Sequence, residues 1–421
     1  MTDARWSGSA PARRWSWTDP ALRSAVIQIT LAIALIWMAW SFFANAQENL
    51  ARQGIASGFG FMENSAGFGI TQTLIPYSES MSYGRVFLVG LLNTLLVAFL
   101  GIILATIIGF LMGVARLSNN VVIRALASAY VEVTRNLPPL FQILFWYLAV
   151  LSTMPNPRQS WGFGIKPFLD SLASGANAIG LAPLGAWLKG MADAAAAPGV
   201  FVSNRGLVVP RPIFEPDANI IFGILAASVI VAFFVARWAR KRREATGQQF
   251  PTFWAGLAII VLPALAAGLV LGAPVTIENP ELRGFNFVGG IRVIPEFVSL
   301  LVALSIYTAG FIAEIVRAGI LAVSKGQTEA AHSLGLRPGP TLRLIIIPQA
   351  MRVIVPPLTS QYLNLTKNST LGVAVGYPDL VAVFAGTTLN QTGQAIEIIA
   401  LTMAVYLTIS IVTSTLMGWY N

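Results

Sequence analysis

The chain of 421 residues has no cysteine and a single histidine, His332. The first absence excludes disulfides and thiolate metal sites. The second leaves no imidazole cluster for zinc and no Ser-His-Asp triad. No metal site and no cofactor bound by this chain are expected. Charge is scarce too: 11% of residues are Asp, Glu, Lys or Arg, against 55% hydrophobic, with a mean hydropathy of +0.69. A soluble domain carries about 25% charged residues, so the chain reads as an integral membrane protein. It also lacks any G-x-x-x-x-G-K-[ST] run, so nothing in it is built to cradle ATP phosphates.

What is present is a series of long apolar runs, and the expected fold is all-α with about eight transmembrane helices. A basic tail, 1–24, mixes Arg5, Arg13, Arg14 and Arg23 with Trp6, Trp15 and Trp17 and suits a cytoplasmic segment lying on anionic lipid headgroups. Spans are expected at 25–44, 87–115, 130–150, 220–236, 253–271, 295–320, from 353 irregularly past Gly372 and Gly376, and at 396–417. Gly109 and Gly113 form a small-xxx-small pair in the second of these. Prolines and isolated charges break up 151–218, which reads as an external insertion. The two spans within 219–272 enclose the densest basic cluster, Arg237, Arg240, Lys241, Arg242 and Arg243. Its position directly after an apolar run favours a topology signal over a nucleic-acid or lipid-headgroup site, and no nucleic-acid partner is expected. Basic residues concentrate in the tail, 115–124, 237–250 and 321–347. By the positive-inside rule these segments, and both termini, are cytoplasmic.

Ionisable side chains inside spans are functional candidates by default. Glu132 and Arg135 stand three apart, as do Glu314 and Arg317, so each pair can meet on one helix face. Each suits a gate or polar path for a zwitterion, or an ion pair that orients its helix. Lys367, beside Asn364 and Asn368, suits a substrate carboxylate or an external interface.

The polar island Gly326–Pro348 stands apart from the apolar runs around it. Ser324 and Gln327 can form a capping box. Glu329 suits the first turn of a helix, Ala330 and Ala331 offer a small-residue face, and Gly335 followed by Pro338 ends the helix. The expected element is a stub of two to three turns, too short to span a bilayer.

Glu329-Ala330-Ala331, Gly335, Ile345 and Ile347-Pro348 keep the spacing of the EAA loop of ABC importer permeases, with Ile347 standing where Leu is usual. Further segments are similar to the polar amino-acid branch of that family: Gly90–Leu95, Tyr130–Leu140, Tyr307–Arg317 and Leu365–Leu371. The resemblance covers 85–150 and 294–418 and implies a five-helix type I permease core. The first span, the 151–218 insertion and the two helices of 219–272 are additions, as in the long permeases of the general amino-acid and glutamate/glutamine/aspartate/asparagine systems. It further implies that 324–348 couples to an ABC ATPase dimer, which holds the ATP and Mg. A second homologous permease subunit in a heterodimer, a periplasmic amino-acid-binding protein and an inner-membrane location follow from the same likeness. Two other readings stay open on the residues alone: an ion-coupled secondary amino-acid transporter, and a membrane scaffold or receptor using the insertion.

Overall fold

The computed structural model describes residues 20–52, 58–164, 166–178, 180–194, 199–271 and 275–420. Most of the basic tail therefore lies outside the described residues. Six helical stretches are long and apolar enough to cross a membrane: Leu22–Ala46, Tyr83–Ala115, Ala218–Thr246, Pro295–Leu321, Pro338–Val375 and Ala395–Gly418. Two shorter apolar helices, Pro139–Leu151 and Thr252–Gly268, accompany them.

Helix α1 (Pro20–Arg52) buries none of its apolar window against the rest of the described chain. Helix α2 (Tyr83–Ala115) is apolar all round, as lipid contact requires. Its buried side is still a helical stripe: Val86, Gly90, Val97, Gly101, Ala105, Gly109 and Gly113. That stripe packs on α9 (Pro295–Leu321), the central helix, which buries Leu300, Ala303, Leu304, Ala309, Ile312 and Val316. A Cβ on Gly109 would lie 2.6 Å from the Ile312 Cβ, and one on Gly113 would lie 2.8 Å from the Ala313 carbonyl oxygen. The small-xxx-small pair is thus the contact between these two helices.

The expected third span, 130–150, is two helices. Helix α3 (Val121–Asn136) stops at Leu137, and α4 (Pro139–Leu144) continues through wider π turns to Leu151. Each proline of Pro138-Pro139 pushes the residue before it out of the helical region, and Leu137 and Pro138 are extended. Gln142 Nε2 bridges the break, donating to the carbonyls of Thr134 (2.9 Å) and Leu137 (3.1 Å).

The insertion adds strands to the expected all-α plan. Strands β1 (Trp161–Phe163), β2 (Val200–Ser203) and β3 (Gly206–Val209) precede the extra helices α7 (Ala218–Thr246) and α8 (Thr252–Val270). Yet β3 pairs with β8 (Ile291–Val293), giving a sheet in the order β1-β2-β3-β8. Likewise β4 (Arg211–Phe214) pairs with β5 (Val275–Glu278), on the far side of the helical hairpin. A ribbon of β6 (Glu281–Arg283) and β7 (Asn286–Val288) and a helical hairpin of α5 (Lys166–Ala178) and α6 (Ala182–Ala194) complete this end. So 155–214 and 275–293 form one structure, not two separate external segments. Each strand is short and borders turn residues, so single-strand periodicity is nearly absent there.

Beyond α9 come α10 (Lys325–Ser333), α11 (Pro338–Thr341), π turns over Leu342–Ile346 and α12 (Ile347–Asn368). A tight helix, Ser369–Val375, then leads to π turns over Val381–Thr388, α13 (Leu389–Thr392) and α14 (Ala395–Tyr420). Helices α7 and α9 both carry the chain away from the sheet, so the tip of the α7–α8 hairpin and α10 lie at the end of the bundle opposite the sheet.

Candidate functional site

At the α10 end, the stub has nine residues. Its N-cap is Ser324, but no side-chain capping bond forms. The expected capping box is absent: the Gln327 N–H donates to the Ser324 carbonyl rather than to its hydroxyl, and Gln327 Oε1 accepts from Gln349 Nε2 of α12 at 3.4 Å. The C-terminal stop is as expected. The Gly335 N–H donates to the His332 carbonyl (2.9 Å) and the Leu336 N–H to the Ala331 carbonyl (3.1 Å), the paired bonds of a Schellman turn. Gly335 has φ +74° with open space around its missing Cβ. Backbone conformation, not crowding, therefore demands glycine.

The small-residue face divides. Glu329 and Ala330 are exposed, whereas Ala331 is 1% exposed and packs inward. Leu334, which the spacing did not single out, is 81% exposed at the end of the stub. An apolar side chain so open, one residue before the turn, is a further group available for contact. Pro348 is exposed at the start of α12. It has no N–H to give to the carbonyl four residues back, and the helix widens into π turns immediately before it.

The charged pairs are arranged differently from the sequence expectation. Glu314 and Arg317 do pair, with Oε1 2.5 Å from the guanidinium. Glu132 and Arg135 do not: Glu132 is exposed and accepts from Asn136 (3.4 Å), while Arg135 reaches Glu314 at 4.0 Å. Arg135 also lies over the Phe311 ring, 5.2 Å from its centroid. Glu132 and Arg135 both lie on α3, which packs along α9 and so brings Arg135 to the α9 side chains. Arg116, just beyond α2, donates to the second oxygen of Glu314. One carboxylate thus gathers three guanidinium groups from α2, α3 and α9. Arg116 was visible in the sequence only as part of a basic turn.

Towards the sheet end, Asn364 and Lys367 are exposed and Asn368 is half-buried on the last turn of α12. Their spacing puts them on one face. No side-chain partner is recorded for any of the three among the described residues. That face is polar and open.

A fully buried polar knot, given no role by the sequence reading, fixes this end. Asn93 Nδ2 donates to the carbonyls of Gln72 (2.9 Å) and Pro378 (2.8 Å). Tyr377 Oη donates to the Asn93 carbonyl (3.0 Å), and Thr94 Oγ1 accepts from the Leu380 N–H (3.0 Å). Asp379 Oδ1 accepts from the Ala382 N–H (2.8 Å), capping the helix that follows. The available signals were Asn93-Thr94 within an apolar run and the Gly376-Tyr377-Pro378-Asp379 turn.

Known proteins place this geometry. The general L-amino acid transport system permease protein AapQ of Rhizobium johnstonii is 49% identical, over 96% of this chain and 92% of its own length. The putative amino-acid ABC transporter permease protein YhdX of Escherichia coli is 48% identical, over 96% and 95%. The glutamate/glutamine/aspartate/asparagine transport system permease protein BztB of Rhodobacter capsulatus is 41% identical, over 96% and 94%. These alignments run through the added α1, the sheet and the α7–α8 hairpin as well as the core. Residues 105–421 match the family described as binding-protein-dependent transport system inner membrane component. With apolar helices enough to cross a membrane many times and a capped stub between two of them, the chain belongs to that family of transport permeases.

Proposed function

We propose that this chain is the membrane-spanning permease subunit of an ABC importer for amino acids, of broad L-amino acid range or selective for glutamate, glutamine, aspartate and asparagine. The observation that carries the reading is α10: a stub held off the ends of α9 and α12, closed by a Schellman turn, with Glu329, Ala330 and Leu334 open to contact. A chain without a phosphate-binding loop needs its energy from another subunit. In this reading an ABC ATPase dimer, holding ATP and Mg, docks on 325–348, with Gly335 and Pro348 setting the two ends of the contact. ATP-driven closure of that dimer moves α10, and the bundle alternates between outward-open and inward-open states.

A second, homologous permease completes the pathway, and a periplasmic amino-acid-binding protein delivers the substrate. In this reading the six long apolar helices and the two shorter ones all cross the membrane, which would bring both termini to one side, and the basic segments at the α10 end support the cytoplasm as that side of an inner-membrane protein. Asn364, Lys367 and Asn368 are the groups offered to a substrate carboxylate. Glu132, Arg135, Glu314 and Arg317 lie nearer the α10 end, where the Glu314 cluster braces the helices that must move together.

The test is uptake into proteoliposomes of labelled glutamate and glutamine, by the chain alone and with its permease partner, ATPase and binding protein. Uptake is expected only in the complete assembly with ATP. Uptake by this chain alone, driven by an ion gradient, overturns the reading.

A further inference from the structure

The α7–α8 hairpin lies outside the five-helix core and carries a feature that coupling does not use. Its two helices pack chiefly on one another, and α7 exposes Phe222, Val229, Ile230, Phe233 and Phe234. Past Phe234 the helix turns basic, with Arg237, Arg240, Lys241, Arg242 and Arg243 set against one acidic residue, Glu244. At Gly247 (φ +70°) the chain reverses, and 248–251 folds back along α7. Phe250 packs edge-on against Trp238, 5.6 Å between centroids.

Between this returning segment and α7 lies a cavity of about 330 Å³, lined by Ala236, Ala239, Arg240, Arg243, Phe250 and Thr252 among others. The two alanines leave the space that larger side chains would fill. Arg240 and Arg243, three apart, point to it from one face. Neither guanidinium has an ion-pair or hydrogen-bond partner among the described residues. Arg242, outside the cavity, is by contrast engaged by Gln248 (2.8 Å) and the Trp238 ring. Two free guanidiniums facing one cavity of this size match the oxygens of a phosphate.

Depth argues for the source of that phosphate. Arg240 lies roughly 10 Å along the helix from Phe233, the scale of the headgroup layer beside the hydrocarbon core. Trp238, Phe253 and Trp254 are exposed at the same level, as interfacial aromatics are. The neighbouring anion at that level is a lipid.

We propose that this cavity binds the phosphate of an anionic phospholipid headgroup, seating the added hairpin at a defined place in the bilayer. A topology signal needs only the number of basic residues on one side; it does not require two of them to stay unpaired around a hollow.

The full-length chain, purified in detergent, is titrated with phosphatidylglycerol and with phosphatidylcholine, and retained lipid is counted by native mass spectrometry. Saturable retention of phosphatidylglycerol alone is expected. The R240Q/R243Q variant is expected to weaken it about tenfold, while R237Q/K241Q, which removes equal charge outside the cavity, changes it less than about threefold. R240K/R243K, which keeps the charge but not the planar fork, is expected to bind more weakly than the wild type and more tightly than R240Q/R243Q; binding as weak as that of R240Q/R243Q overturns the role of charge at the cavity. Equal loss in the two glutamine variants reduces the effect to a diffuse field and overturns the site. Displacement of the lipid by millimolar inorganic phosphate makes it a free-phosphate site and overturns the lipid reading. So does loss of ATPase co-purification in R240Q/R243Q with lipid retention unchanged, which assigns the cavity to a protein partner.

Discussion

Arg116, one residue past α2, donates to the carboxylate of Glu314 in α9, 198 residues further along the chain. The pair spans the same interface that Gly109 and Gly113 hold together by close contact. The guanidinium is 13% exposed and the carboxylate 28%, so water screens this pair less than a surface one. A double-mutant cycle with Arg116→Gln and Glu314→Gln is expected to give a coupling of about 1–2 kcal/mol, between the values for exposed and buried pairs. Thermal melts in detergent measure it. A coupling near zero makes the contact incidental.

Packing tests the same interface from the other direction. A methyl on Gly109 would press into Ile312 and one on Gly113 into the Ala313 carbonyl. Gly109→Ala is expected to destabilise by about 1–3 kcal/mol, as overpacking does. Gly223→Ala on the added α7, where a Cβ meets nothing within 4 Å, is expected to leave the melt unchanged or raise it slightly, since alanine favours the helix by up to about 1 kcal/mol.

Neighbouring alanines in α10 separate docking from folding. Ala331→Leu forces a large side chain into a buried site and is expected to lower stability by about 1–3 kcal/mol. Ala330→Leu and Glu329→Lys change only the open face. They are expected to leave the melt unchanged while reducing ATPase co-purification and ATP-driven uptake at least about tenfold. Full transport by both variants removes α10 from the coupling role.

Asp379 offers a third contrast. One oxygen caps the helix after it, and the other is buried with no hydrogen-bond partner. Asparagine keeps the capping acceptor and removes the buried charge. Asp379→Asn is expected to match or exceed the wild-type melt, while Asp379→Ala loses about 1 kcal/mol with the cap. If the asparagine variant is the less stable of the two, the carboxylate has a role beyond capping.

Local signals in the chain were legible where one short segment determines its own shape. The length of α10, the left-handed Gly335 and the close contact at Gly109 follow from residue types within a few positions. Side-chain partners were legible only when nothing better lay nearby. Glu314 kept Arg317, but Gln327 abandoned its cap for Gln349, and Arg135 left Glu132 for Glu314 and Phe311. The break at Leu137 was written in Pro138-Pro139, yet the apolar composition around it reads as a single span. The sheet was least legible, since β3 and β8 lie more than 80 positions apart and each has three or four residues.

The pairing of β4 with β5 bears on how the added hairpin is attached. Phe214 and Val275 face each other across the antiparallel ladder, so their backbones lie only about 5 Å apart. Everything between them, the whole α7–α8 hairpin, leaves and re-enters at one point. A tight turn of a few residues could replace it without moving either strand. Because the excised piece holds two helices that run out and back, the direction of every later helix would stay the same. The hairpin hangs as a unit from a strand connection that closes without it.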